Sequence, residues 1–160
     1  MYSNLRYIRI ALLALILSLS LSGCGFHRAP EPTGPTPVKA KKVVRTAYSQ
    51  MGKKYRLGGA SPSKGFDCSG LVYWAYGQNG LKVPRVTRDQ AHAGRAVSRS
   101  QLRPGDIVVF RTGLRSLHTG IYAGDGSFIH SPRAGERVRM ESINVNYWKK
   151  RLITARRIVR

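Results

Sequence analysis

The stretch Phe66-Asp67-Cys68-Ser69-Gly70-Leu71-Val72-Tyr73-Trp74-Ala75-Tyr76 constrains this chain more than any other. Glycine and polar residues precede Cys68, and an apolar run of helical character follows it. A thiol at such a junction sits at a helix start, where the macrodipole and free backbone N–H groups favour thiolate. Thiolate, rather than thiol, is the nucleophile. His118 and His130 lie downstream and offer a base and an orienting group. The chain therefore carries the parts of a cysteine hydrolase. The plainer alternatives are a cysteine acting as a small buried hydrophobe and two structural histidines.

The start of the chain reads as a lipoprotein export signal, with an ordinary cleaved signal or a short transmembrane anchor as the alternatives. Arg6 and Arg9 form a basic start, and Ile10 to Leu21 is almost purely apolar. That length suits a signal peptide and is short for a bilayer span. Leu21-Ser22-Gly23-Cys24 closes it and resembles the bacterial lipobox, in which the cysteine is lipidated and becomes the first mature residue. The resemblance implies acyl chains on Cys24, and two or more chains suffice for stable anchoring. With Cys24 lipidated, Cys68 is left alone, since Cys totals 2. A leftover cysteine in an exported chain is a candidate reactive thiol.

Residues 1–23 are thus expected to be a signal peptide, and 24–37 a lipidated cysteine with a tether. Pro30, Pro32, Pro35 and Pro37 make the tether extended and unable to bury a core. About twelve such residues reach roughly 40 Å. Residues 38–160 are long enough for one domain with one core. The formal charge is +21, and removing Arg6 and Arg9 lowers it by two. Such a field attracts polyanions. The export signal argues against nucleic acid and leaves lipid headgroups or the carboxylates of wall peptides.

Val43, Val44, Ala47, Tyr48 and Met51 recur at helical spacing, predicting a helix over Val38 to Met51. A second helix is expected from Cys68 to Gln78, with Tyr73, Trp74 and Tyr76 in the core. Thr87-Arg88-Asp89-Gln90 fits a capping box opening a short helix. Strands are expected at Asp106 to Phe110, His118 to Ala123, Ser127 to His130, Arg137 to Glu141 and Leu152 to Val159. Helices first and an antiparallel sheet afterwards make an α+β fold. If Gly124-Asp125-Gly126 is a three-residue loop, Ala123 pairs with Ser127, and His118 and His130 share a face, one diagonal apart. A two-residue loop would separate them.

These blocks resemble the NlpC / p-sixty family of bacterial cell-wall cysteine peptidases. The resemblance rests on Gly52 to Gly59, Asp67-Cys68-Ser69-Gly70, Val83-Pro84-Arg85 with Gln90, Leu102 to Asp106, His118-Thr119-Gly120-Ile121-Tyr122 and Phe128-Ile129-His130-Ser131. It implies a papain-like fold with N-terminal helices on an antiparallel sheet, and hydrolysis of peptidoglycan stem peptides. Cys68 would attack the amide carbonyl, and His118 would take the thiol proton and return it to the leaving amine. His130 would accept a hydrogen bond from the other nitrogen of His118. The resemblance places Tyr55 near the oxyanion, joined by the Cys68 N–H at the helix start. Asp67 and Ser69 would bind the substrate's free amine or a backbone group, and Arg85 a substrate carboxylate. One departure is Leu57, where the family commonly has an aromatic wall.

The expectation is a monomeric outer-membrane lipoprotein facing the periplasm, with no cofactor and no metal. Gly25 after Cys24, with no Asp retention signal, resembles the sorting pattern for the outer membrane. Its partners would be peptidoglycan stem peptides and, through Cys24, the membrane. A catalytically inactive wall-binding lipoprotein and an acyl or amide transferase on the same scaffold are the alternative functions.

Overall fold

The computed structural model describes residues 36–159. The expected signal peptide, Cys24 and most of the tether lie outside the described residues. The first helix, α1, spans Val38–Tyr48 and buries Ala40, Val43 and Ala47 along one stripe. It stops short of Met51 because the chain turns through Gly52 at φ 80°. Tyr48 and Met51 are exposed. A two-stranded ribbon, β1 (Ala60–Ser61) with β2 (Gly65–Phe66), leads to α2 (Cys68–Gly77). Asp67 caps α2, its carboxylate accepting the Gly70 N–H at 2.6 Å. Gly70 packs so closely on the Gly59 carbonyl that any side chain would collide with it. Tyr76 is fully buried, whereas Tyr73 is exposed rather than part of the core.

Helix α3 (Thr87–Gln90) forms without the expected capping box. Val86 is the N-cap, no side chain caps the helix, and Thr87 lies within its first turn. Gln90 sets this register: fully buried, it donates to the Ser69 carbonyl at 3.1 Å and the Pro84 carbonyl at 2.8 Å. Thr87 is thereby turned toward Cys68.

The remaining strands are β3 (Arg95–Val97), β4 (Ile107–Arg111), β5 (Leu117–Gly124), β6 (Ser127–His130), β7 (Arg139–Ser142) and β8 (Leu152–Arg157). They form an antiparallel sheet of order β3-β8-β4-β5-β6-β7. Both faces are covered, so β4 reads as continuously apolar rather than alternating. Ile107, Val109, Ile121 and Ile129 pack with Val43, Leu71, Val72 and Tyr76 from the helices. Val108, Phe110, Tyr122 and Phe128 pack with Val97, Leu102 and Trp148. Trp148 comes from a short helix, α4 (Asn146–Lys149). Neither α4 nor β3 was expected from the sequence pattern, both being too short to show a period. Among the described residues, the architecture is the α+β one expected.

The Pro104-Gly105-Asp106 turn ties the layers together. The Tyr76 hydroxyl donates to the Gly105 carbonyl. Asp106, 2% exposed, accepts from Arg157 of β8 at 2.8 and 2.7 Å and from the Arg103 N–H at 2.8 Å. A buried carboxylate needs such partners.

The β5–β6 hairpin reaches the expected parity by a different route. Ile121 pairs with Ile129 and Tyr122 with Phe128, but Gly124 pairs with Ser127 across a register shift. The connection is a two-residue turn, Asp125-Gly126, both at positive φ (48° and 70°). The extra residue of the expected three-residue loop is absorbed as a bulge within β5. The bulge restores the register, so His118 and His130 still share a face.

Candidate active site

Cys68 is the first residue of α2, so its N–H is one of the helix's free donors. Its sulfur lies 3.6 Å from Thr87 Oγ1. Burial pushes the Cys68 thiol up, and Asp67 adds to this, outweighing the hydrogen bonds from Thr87 and the Thr119 and Ser69 N–H groups. This corrects the expectation of a resting thiolate: the helix start does not overcome desolvation. The thiol stays protonated until a base takes its proton.

His118 is the second residue of β5, and His130 closes β6. Gly120 permits the approach of the two strands' side chains, since a Cβ there would fall 2.8 Å from the Ile129 carbonyl and 3.1 Å from the His130 Cβ. His118 Nε2 and His130 Nδ1 are 2.7 Å apart, with ring planes at 90°. Ser131 Oγ donates to the Phe66 carbonyl at 2.7 Å and pins the end of β6 beside the approach to Cys68. Burial brings His118 down to about 4 against an upward pull from Glu141. Burial, His118 and Arg139 bring His130 down to about 2. Both imidazoles are therefore neutral near pH 7. Trp148 covers the pair, its ring 5.4 Å from His118 and 5.3 Å from His130.

Asp67, Ser69 and Arg85 form one cluster. Arg85 donates to Asp67 Oδ2 at 2.8 Å, to Asp67 Oδ1 and Ser69 Oγ at 3.0 Å each, and to the Gly59 carbonyl at 3.3 Å. Burial pushes the Asp67 carboxyl up, but the Arg85 and Gly70 hydrogen bonds outweigh it and hold Asp67 below the usual range. Arg85 is thus turned inward onto Asp67 and Ser69. Burial, then the Cys68 and Asp67 charges, raise the Tyr55 hydroxyl.

Tyr55, Cys68, His118, Glu141 and Trp148 line one cleft of about 590 Å³. Leu57, 83% exposed, is not among its walls. Beyond Tyr55 and Glu136 the surface continues through a recess lined by Lys54 and Arg137 into a basic trough of about 430 Å³, lined also by Lys53 and Lys64. Among the described residues, no group of three His, Cys, Asp or Glu side chains is placed to hold a metal ion.

Three residues that touch the cysteine or the histidine pair escaped sequence reasoning. Thr87 looked like a cap. Trp148 lies on a helix too short to detect. Glu141 looked like the end of a strand, though acidic residues number only 7 against 28 basic ones, a scarcity that could have marked it.

A helix-borne cysteine and a strand-borne histidine in one cleft, the histidine backed by a second one from the next strand, on an α+β scaffold, define a papain-like arrangement. The chain belongs to the NlpC/P60 family, whose profile matches residues 52–157. It is 43% identical over 127 residues to the murein DD-endopeptidase MepH of Escherichia coli strain K12, covering 76% of this chain and 47% of that protein. It is 44% identical over 124 residues to the murein DD-endopeptidase MepS/murein LD-carboxypeptidase of the same strain, covering 76% of this chain and 65% of that protein. The chain spans roughly half to two-thirds of the length of these relatives. Its fold superposes on the crystal structure of an NlpC/P60 family protein from Bacillus cereus with TM-score 0.70 and 35% identity, over 79% of this chain and 42% of that one.

Proposed function

We propose that this protein is a peptidoglycan hydrolase, a cysteine endopeptidase that cleaves stem-peptide amide bonds of murein through Cys68, His118 and His130. The observation that carries this reading is the 2.7 Å contact between His118 Nε2 and His130 Nδ1. If His118 donates through Nε2, its Nδ1 lone pair is free for the thiol proton. His118 takes that proton as Cys68 attacks the carbonyl, forming the C–S bond. The Cys68 N–H and Tyr55 face the developing oxyanion. His118 then gives the proton to the leaving amine as the C–N bond breaks. Water, deprotonated by His118, attacks the thioester, and the stem carboxylate leaves as Cys68 regains its proton.

Asp67, kept ionised by Arg85, binds the free amine of the substrate together with Ser69. Arg85 serves by holding that pair rather than by meeting a substrate carboxylate. The diaminopimelate-containing stem or its cross-link is the substrate class, in keeping with the two E. coli relatives' names as murein DD-endopeptidases. Residues 1–23 are a signal peptide, Cys24 carries the acyl chains, and 24–37 tether a monomeric 38–160 domain to the periplasmic face of the outer membrane.

Mass spectrometry of muropeptides released from isolated sacculi tests the reading. The protein should yield cut stems or lost cross-links, and the Cys68→Ala variant, still folded, should yield neither. Wild-type protein that releases nothing while binding sacculi would favour the inactive wall-binding alternative. Products carrying a new amide in place of a free carboxylate would favour transfer.

A further inference from the structure

His130 presents an unfinished end to the histidine pair. Its Nδ1 is engaged by His118, but its Nε2 is buried and has no hydrogen-bond partner. The nearest charged acceptor is Glu141 Oε1, 3.5 Å away on the neighbouring strand β7. Glu141 is not a loose surface acid. The Trp148 indole N–H donates to its Oε2, and the Arg139 guanidinium holds its Oε1. Arg139 is itself shared with Glu136 at 2.9 Å. The tryptophan that covers both imidazoles is therefore also the group that aims the carboxylate at them.

We propose that Glu141 is a positioning residue, the charged end of a relay running from Cys68 through His118 and His130. A neutral imidazole behind the base can orient it but supplies no counter-charge. When His118 accepts the thiol proton, positive charge appears in a buried pair, and burial penalises that charge. A fixed carboxylate behind His130 offsets the penalty and favours the thiolate–imidazolium state. The inference rests on the catalytic roles proposed above for Cys68 and His118.

The charged groups around the pair differ in sign. Cys68 on α2 is neutral at rest. On β7, Glu141 raises the proton affinity of His118, while Arg139 lowers that of His130. Glu136, in the turn before β7, offsets part of Arg139's charge and is itself paired with Arg133 at 2.9 Å. α4 contributes the uncharged Trp148. The carboxylate and the guanidinium on one strand thus pull the pair in opposite directions.

This opposition supplies the test. The rate of Cys68 alkylation by iodoacetamide is measured at pH 7 in the full chain, read on the Cys68 peptide by mass spectrometry. Proton transfer from Cys68 to His118 exchanges no proton with solvent, so the rate at fixed pH reports the thiolate–imidazolium population. In Glu141→Gln, which keeps an acceptor for the Trp148 N–H, the rate should fall about tenfold. In Arg139→Met it should rise, because the competing cation is gone. A charge acting on a lone thiolate would move each variant the other way, and a merely structural role would not move the two in opposite directions. Rates that coincide with wild type, shift together or shift in the reversed sense overturn the proposal. If Glu141→Gln fails to fold, the Arg139→Met rate decides alone: a rise supports the proposal, and no change or a fall overturns it. Alkylation needs no murein. A protein that cuts no murein but shows the opposed shifts loses its proposed function and keeps this inference, and one that cuts murein without them does the reverse.

Discussion

The rings of His118 and His130 meet edge to face, nitrogen to nitrogen, at 2.7 Å. At that distance one nitrogen donates and the other accepts, so the pair shares one proton in the contact. The contact fixes which face of His118 is left for the thiol. On the roles proposed above, a burial-raised thiol can still serve as a nucleophile because His118, neutral and oriented, lines the same cleft.

His118→Ala should therefore be nearly as damaging as loss of Cys68, lowering turnover by several orders of magnitude. His130→Ala should cost less, because a misaligned base remains. Muropeptide release measures both. Alkylation of Cys68 at neutral pH should also slow sharply in the His118 variant, and equal rates would remove His118 from the mechanism.

The same two histidines should make the fold acid-sensitive. Each has its folded-state pKa depressed, to about 4 for His118 and about 2 for His130, below the ordinary 6.5. The unfolded chain then binds protons that the folded chain refuses, so stability falls as pH drops below 6.5. The melting temperature should be level from pH 8 to 7 and decline from about pH 6.5 toward 4. His130→Asn should flatten the decline, and an identical slope in the variant would show that other groups drive it.

Wall binding should depend on salt. Lys53, Lys54, Lys64 and Arg137 border a trough that continues from the cleft. Exposed attractions weaken as the Debye length shrinks from ~10 Å at 0.1 M salt to ~3 Å at 1 M. Binding of the Cys68→Ala protein to sacculi should fall steeply over that range, and charge reversal at Lys53 and Lys64 should blunt the dependence. Affinity unchanged by salt would mean that recognition rests on cleft contacts such as Tyr55 and Ser69.

Membrane partition should depend on Cys24. Metabolic labelling with a clickable fatty acid should mark the wild-type chain in the outer-membrane fraction. Cys24→Ser should lose the label and leave an uncleaved or mislocalised precursor. Label retained on that variant would contradict lipidation at Cys24.

Much of the site was legible in local pattern. The cysteine at a loop-to-helix junction, the two histidines of like parity and the Pro-Gly-Asp strand start all announce short-range structure. Side-chain partnerships made across distant segments were not legible. Nothing near Thr87 says that it will face Cys68, because a buried Gln90 decides the helix register from inside the core. Nothing near Arg85 says that Asp67 will claim it. Trp148 reaches the histidines only because Glu141 on β7 and the aromatic face of the sheet receive it. Even the thiol's resting state depended on burial, which a linear pattern does not report.

The bulge at the end of β5 has a practical corollary for anyone grafting or trimming this hairpin. One residue added to or removed from the Asp125-Gly126 tip, with the bulge kept, rotates every side chain of β6 through half a turn, exchanging the places of Ile129 and His130. Length changes here are expected to be survivable only in even steps, or when a compensating change erases the bulge. Asp125 at the tip is exposed and looks permissive, yet the turn behaves as a counting device.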